Sequence, residues 1–118
     1  MSGGIHISDG NFWGAAGWCY RAMSDEIIRV LVESDRCPPL LDYLRDPHGS
    51  AEIIEYINLA SRSPEEINAF REAAAVALER LRRTSAQEWA YPEMLPQFLE
   101  HCQTLLAQLE KAARGCDT

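Results

Sequence analysis

The chain has 118 residues, of which 47% are hydrophobic and 25% are charged, and its formal net charge is −7 at pH 7. These proportions are typical of globular proteins and exclude a largely disordered chain, and the length predicts one domain over residues 1–118. The acidic balance argues against nucleic acid or an anionic membrane surface as the partner. No apolar run reaches the length that a membrane span requires.

The four cysteines and three histidines are spread along the chain rather than clustered. Their spacings fit neither a disulfide framework nor a zinc site. We therefore expect reduced, structural cysteines, no metal and no cofactor. The chain opens without a basic segment followed by an apolar run, so we expect a cytoplasmic protein.

Residues 1–10 are predicted to be extended or irregular. Ile5 and Ile7 alternate with polar neighbours, as in a strand, but the alternation is too short to establish one. The dipeptide of Asp9 and Gly10 indicates a turn after this segment.

The next segment is predicted to be helical, with two candidate starting points. Asn11 can cap a helix whose first turns are weakened by glycines, and Ser24, followed by two acidic residues, can cap another. Either helix would contain residues 27–32, which are apolar on more than one side and therefore predict the most buried helix. A pair of prolines ends it, and a short helix over residues 39–45 follows.

Two helices are predicted in the middle of the chain. Ser50 can cap the first, over residues 51–59, where isoleucines lie on one side. The second has the strongest local pattern in the sequence, a capping box formed by Ser63 and Glu66 with proline at the first helical position. This pattern predicts a helix over residues 64–83.

The last helix is predicted over residues 93–113. From Leu95 onward, apolar residues recur at the spacing of one helical face. A glycine ends this helix and leaves residues 115–118 as a tail. The predicted fold class is therefore all-α, a single-domain bundle of four to five helices, in which helices 64–83 and 93–113 pack as an antiparallel pair.

The candidate partner-binding residues are acids around one predicted turn and two tryptophans of an aromatic segment. The acids form either a solvated helix face or a landing site for a cationic protein. The tryptophans belong either to the core or to an exposed anchor. The candidates are Glu33, Asp35, Asp42, Asp46, Glu52, Glu55, Trp13 and Trp18.

Three features of the chain are considered together: its small size, its acidic net charge and the sequence GIHISDGNFW of residues 4–13. In these respects the chain resembles the immunity proteins of bacterial polymorphic toxins, including those of contact-dependent growth inhibition systems. The resemblance implies a protein without enzymatic activity that binds and neutralises one cognate toxin. Many such toxins are basic nucleases, which suits an acidic surface. We expect stoichiometric binding by a monomer or weak homodimer.

Two other functions remain open. One is a helical adaptor or regulatory subunit that binds a partner other than a toxin and assembles through its last helix. The other is a small enzyme that uses His48 or His101 with nearby carboxylates. A toxin gene next to this one would favour the immunity protein, self-association would favour the adaptor, and a bound metal would favour the enzyme.

Overall fold

A computed structural model of the protein describes residues 2–8, 10–35, 38–45, 55–60, 62–84 and 92–116. The elements of these segments are β1 (Ser2–Ser8), β2 (Asn11–Ala16), α1 (Gly17–Ser34), α2 (Pro38–Arg45), β3 (Glu55–Asn58), α3 (Pro64–Arg83) and α4 (Leu95–Cys116). A short 3-10 helix, Pro92–Met94, precedes α4. The fold is therefore mixed α/β, with a three-stranded sheet, and the predicted all-α bundle of four to five helices is wrong.

The strand order of the sheet is β2-β1-β3, with β1 in the centre. β2 pairs with β1 antiparallel and β3 pairs with it parallel. The register of the β1–β2 hairpin shifts between His6 and Ser8, and Gly10 has a φ of +79° in the turn that follows. Because glycine adopts positive φ without steric cost, Gly10 can reverse the chain within a short hairpin loop.

The helix predicted to start at Asn11 is a strand in the structure. The side-chain amide of Asn11 donates a hydrogen bond to Ser8 Oγ across the hairpin (2.8 Å) instead of capping a helix. Aromatic residues favour strands and glycines weaken helices, so the segment pairs with β1. α1 starts only at Gly17, and Ser24, the other candidate cap, lies inside it and donates to the carbonyl of Arg21.

The helix predicted over residues 51–59 is also corrected where the structure describes it. Residues 55–58 form β3, and Ile57 lies opposite Ile5 of β1. The amide of Leu59 donates a hydrogen bond to the carbonyl of His6 (2.7 Å). The isoleucine spacing of this segment fits a helix as well as a strand, and pairing with β1 selects the strand. Ser50 and residues 51–54 lie outside the described residues.

The helix predicted over residues 64–83 is confirmed, with both hydrogen bonds of its capping box present. Ser63 Oγ accepts from the amide of Glu66 (3.2 Å), and the Glu66 carboxylate accepts from the amide of Ser63 (3.4 Å). The short helix α2 is confirmed to within one residue. α4 continues to Cys116, past the glycine at which we expected a tail to begin.

The core lies on one face of the sheet. Ile5, Trp13 and Ile57, one from each strand, have their side chains buried on that face. α1 packs over the same face, and the ring of Tyr20 lies close to Gly3. α3 packs against both α1 and α4, so the expected contact between the last two long helices is confirmed. In the described segments, no helix is both long enough and apolar enough to cross a membrane.

The described cysteines Cys19 and Cys102 are buried and are not joined in a disulfide. Burial raises the pKa of both thiols, and that of Cys102 to about 12. A thiol with so high a pKa carries almost no thiolate at neutral pH and is a poor nucleophile or metal ligand. These two cysteines therefore behave as small apolar residues of the core.

Candidate protein-binding surface

The structure places three of the six predicted acidic residues on the surface. Glu33 and Asp35 lie at the carboxyl end of α1, and Asp42 lies on the outer face of α2, opposite its buried leucines. Asp35 has a φ of 50°, a left-handed conformation that aspartate adopts more readily than most residues. Asp46 and Glu52 lie outside the described residues. Glu55 starts β3, and its side chain is likewise outside the described part.

Of the two predicted tryptophans, Trp13 is buried in the core and Trp18 is only partly buried. Trp13 is only 1% exposed, donates a hydrogen bond from Nε1 to the carbonyl of His101 (2.9 Å) and stacks on the His101 ring. Trp18 is half-buried, with its ring centroid 5.5 Å from that of Phe98. The core interpretation therefore fits Trp13, and an exposed anchor does not. The exposed aromatic residue of this segment is Phe12, at 54%.

His101 links α4 to the free edge of β2. Its Nε2 is 2.6 Å from the carbonyl oxygen of Gly14, so the ring donates a hydrogen bond to the outward-facing backbone of the strand. At the other edge of the sheet, the amide of Asn58 donates to the hydroxyl of Tyr43 on α2 (2.7 Å). Side chains of the helices thus satisfy a backbone group at each edge, which hinders pairing with other strands. His101 has this structural contact, and His48 lies outside the described residues.

Ion pairs on one side of the molecule join α1 to α3. The guanidinium of Arg80 lies 2.5 Å from a carboxylate oxygen of Glu33 and 3.7 Å from one of Glu26. Glu26 also pairs with Arg29 (2.6 Å). The hydrogen bond that the Arg80 guanidinium donates to the Glu33 carboxylate raises the pKa of Arg80. Glu33 is 53% exposed, but its charge is already compensated within the protein.

Other acids differ in whether they have an ion-pair partner. Within and just before α3, Arg62 pairs with Glu66, Arg71 pairs with Glu72, and both Arg82 and Arg83 pair with Glu79. Exposed carboxylates that pair with no described basic group are those of Asp25, Asp35, Asp42, Glu65, Glu93 and Glu100. The exposed carboxylates without an ion-pair partner in the described segments therefore lie on several faces and are not confined to the predicted turn.

An apolar groove lies between α1 and α3. Its volume is about 140 Å³, and it opens to solvent beside Val76, a valine that is 44% exposed. The groove exists because α3 presents small alanines opposite larger side chains of α1, which leaves a gap between the helices. Its lining consists of Val30, Leu31, Ser34, Ala69, Glu72, Ala73 and Val76.

Sequence reasoning identified Glu33 and Asp35, on either side of the lining residue Ser34, but missed Glu72 of the lining and the groove itself. The run of alanines in α3 indicates close packing, and an exposed valine among them is the feature that could have drawn attention to it. Among the described side chains, no three potential metal ligands cluster together. Comparison of the chain with family models, curated proteins and solved structures returned no match.

Proposed function

We propose that this protein is an immunity protein that neutralises a cognate bacterial toxin by stoichiometric binding, in the cytoplasm of the cell that makes it. The observation that carries the proposal is the pair of exposed carboxylates of Asp35 and Asp42 in a chain of net charge −7. Neither carboxylate forms an ion pair with a basic group of the described segments.

The physical argument concerns the partner's charge. A surface with uncompensated carboxylates attracts a basic protein and accelerates its association, whereas it repels nucleic acid. A basic nuclease binds its nucleic-acid substrate through a cationic surface. An acidic protein is attracted to the same surface and can cover the residues that bind the substrate. Binding of this kind needs no catalytic group in the immunity protein.

The first test is recovery of the tagged protein from its native lysate, with the bound partner identified by mass spectrometry. We expect one basic, toxin-like polypeptide in a one-to-one complex, and we expect expression of this chain to protect cells from it. Recovery of the protein alone, or of a housekeeping assembly, would contradict the immunity function and favour an adaptor.

The second test locates the binding face with charge-neutralising variants. The double variant Asp35→Asn/Asp42→Asn keeps a residue type that tolerates left-handed backbone at position 35. We expect its Kd for the toxin to rise about tenfold, mainly through slower association, since peripheral charges act on encounter. The salt dependence of association should weaken at the same time.

The matched control is Glu93→Gln/Glu100→Gln on the amino-terminal side of α4, which changes the net charge by the same two units. Both control residues are exposed and pair with no described base. If both double variants weaken binding equally, the overall charge is responsible and the α1–α2 face has no special role. Circular dichroism should be the same for all variants.

A further inference from the structure

The groove between α1 and α3 combines an exposed apolar lining with nearby carboxylates. Val30 and Leu31 are buried at its base, while Val76 is open to solvent at its rim. On α3 the lining follows one helical face from Ala69 to Val76, and Ala73 leaves the centre unfilled. Such an apolar recess on a surface is typical of the pockets that receive the anchor residues of protein partners.

The size of the groove limits what it can hold. A cavity of about 150 Å³ lined by apolar side chains accommodates benzene. At about 140 Å³, this groove therefore has room for one side chain of the size of phenylalanine. It is too small for a helix face and open enough for a side chain to enter from solvent.

The charges around the groove are unequal at its two ends. Beyond Val76, the guanidinium of Arg80 is held by Glu26 and Glu33, and Glu26 also pairs with Arg29, so the two acids and two bases at this end balance. At the other end, Asp35 directly follows the lining residue Ser34, and Glu65 lies one helical turn before Ala69. Neither acid forms an ion pair with a basic group of the described segments, in contrast to Glu26 and Glu33.

We propose that this groove is the docking site for a phenylalanine side chain that the toxin presents beside basic residues. The ring would fill the space over Ala73, and the flanking lysines or arginines would lie near Asp35 and Glu65. Burial of the ring would provide a binding hot spot, and the charges would orient the segment. The identity of the partner rests on the proposed immunity function, whereas the chemistry of the occupant rests on the groove itself.

The chain provides a closely matched pair of variants. Val76→Arg places a long cationic side chain at the rim of the groove, where it blocks entry and repels a basic segment. Val32→Arg makes the same substitution at a valine of α1 that is 45% exposed and does not line the groove. Because both sites are exposed to a similar degree, both variants should fold.

With the purified toxin complex, we expect Val76→Arg to raise the Kd at least about thirtyfold, as for loss of a hot spot, and Val32→Arg to change it less than about threefold. Equal and small effects of the two variants on a toxin complex that does form would overturn the groove while leaving the immunity function intact.

An independent probe is a synthetic pentapeptide with phenylalanine between two pairs of lysines, added to the isotope-labelled protein and followed by NMR. We expect shifts centred on the amides of Leu31, Ser34, Glu72 and Val76, absent in Val76→Arg and retained in Val32→Arg. Peptides with alanine in place of phenylalanine, or glutamates in place of lysines, should bind at least tenfold more weakly.

The outcomes separate the two proposals. If the peptide binds in the groove but the tagged protein recovers no toxin from the lysate, the groove is supported as a docking site and the immunity function is contradicted. Peptide shifts spread evenly over the acidic surface would overturn the groove. Concentration-dependent dimers in light scattering that disappear in Val76→Arg would assign the groove to a second copy of this chain and overturn the proposed occupant.

Discussion

The carboxylate of Glu66 combines helix capping with an ion pair at the start of α3. It accepts hydrogen bonds from Arg62 Nε (2.7 Å) and from the hydroxyl of Ser63 (3.1 Å). Burial tends to raise the pKa of Glu66, but the hydrogen bonds from Arg62 and Ser63 outweigh burial, and the pKa is lowered. The ionised form is therefore stabilised more in the folded protein than in the unfolded chain.

This difference has a definite sign for the pH dependence of stability. A carboxylate whose folded pKa is depressed stabilises the protein fully above its unfolded pKa, about 4.3 for glutamate, and loses this contribution as the pH falls through the folded value. We expect Glu66→Gln to lower the free energy of unfolding at pH 7, and the difference from wild type to shrink below about pH 4. Urea denaturation at several pH values measures this difference in the free energy of unfolding. A difference that does not change with pH would contradict stabilisation by the ionised Glu66 carboxylate.

The cap itself is tested by Ser63→Ala, which removes the acceptor for the Glu66 amide. We expect the free energy of unfolding to fall by about 1 kcal/mol. Thr104→Ala is the control, because Thr104 is exposed within α4 and its hydroxyl donates to the carbonyl of Glu100. A helix-interior threonine of this kind should change stability by less than about 0.5 kcal/mol.

At the scale of the elements, β1 contributes adjacent glycines that meet different neighbours. A Cβ on Gly3 would lie 2.8 Å from Tyr20 Cβ, near the backbone of α1 on the core face. A Cβ on Gly4 would instead meet the ring of Phe12, at 2.9 Å from Cε2, on the opposite face. Tyr20 is buried and fixed, whereas the exposed Phe12 ring can rotate away.

These neighbours predict opposite tolerance at consecutive positions. Gly3→Ala should lower the free energy of unfolding by about 1–3 kcal/mol, because the sheet and α1 must move apart. Gly4→Ala should change it by less than about 1 kcal/mol, since displacement of Phe12 is offset by the better strand propensity of alanine. Thermal and urea unfolding of the two variants provides the comparison. Similar losses at both positions would mean that the outer face of the sheet is also tightly covered.

At the scale of the whole molecule, the parallel pair of β1 and β3 joins segments far apart in the chain. The Leu59 amide, bonded to the His6 carbonyl, should exchange with solvent only on global unfolding. The next amide, Ala60, donates to the side chain of Asn58 at an exposed site and should exchange much faster. Hydrogen exchange with NMR detection measures both, and an Overhauser contact between Ile5 and Ile57 should accompany the slow amide. Without that contact, residues 55–58 would not be paired with β1.

The sequence by itself determined α2, α3 and α4, because the information for these helices is local. A capping box and a proline define the start of α3, and apolar residues at helical spacing define the buried face of α4. Exposure of Asp35 and Asp42 followed equally from their polar positions. The residues that carry the proposed function were thus partly visible in the chain.

Only the tertiary structure decided the strands and the groove. A strand gains its stability from a partner elsewhere in the chain, so β3 was indistinguishable from a short helix until β1 lay beside it. The same holds for Trp13, whose indole N–H finds its acceptor in His101 of α4. The groove at Val76 forms where α1 packs against the small alanines of α3. The spacing of residues within one helix does not show which other helix packs against it.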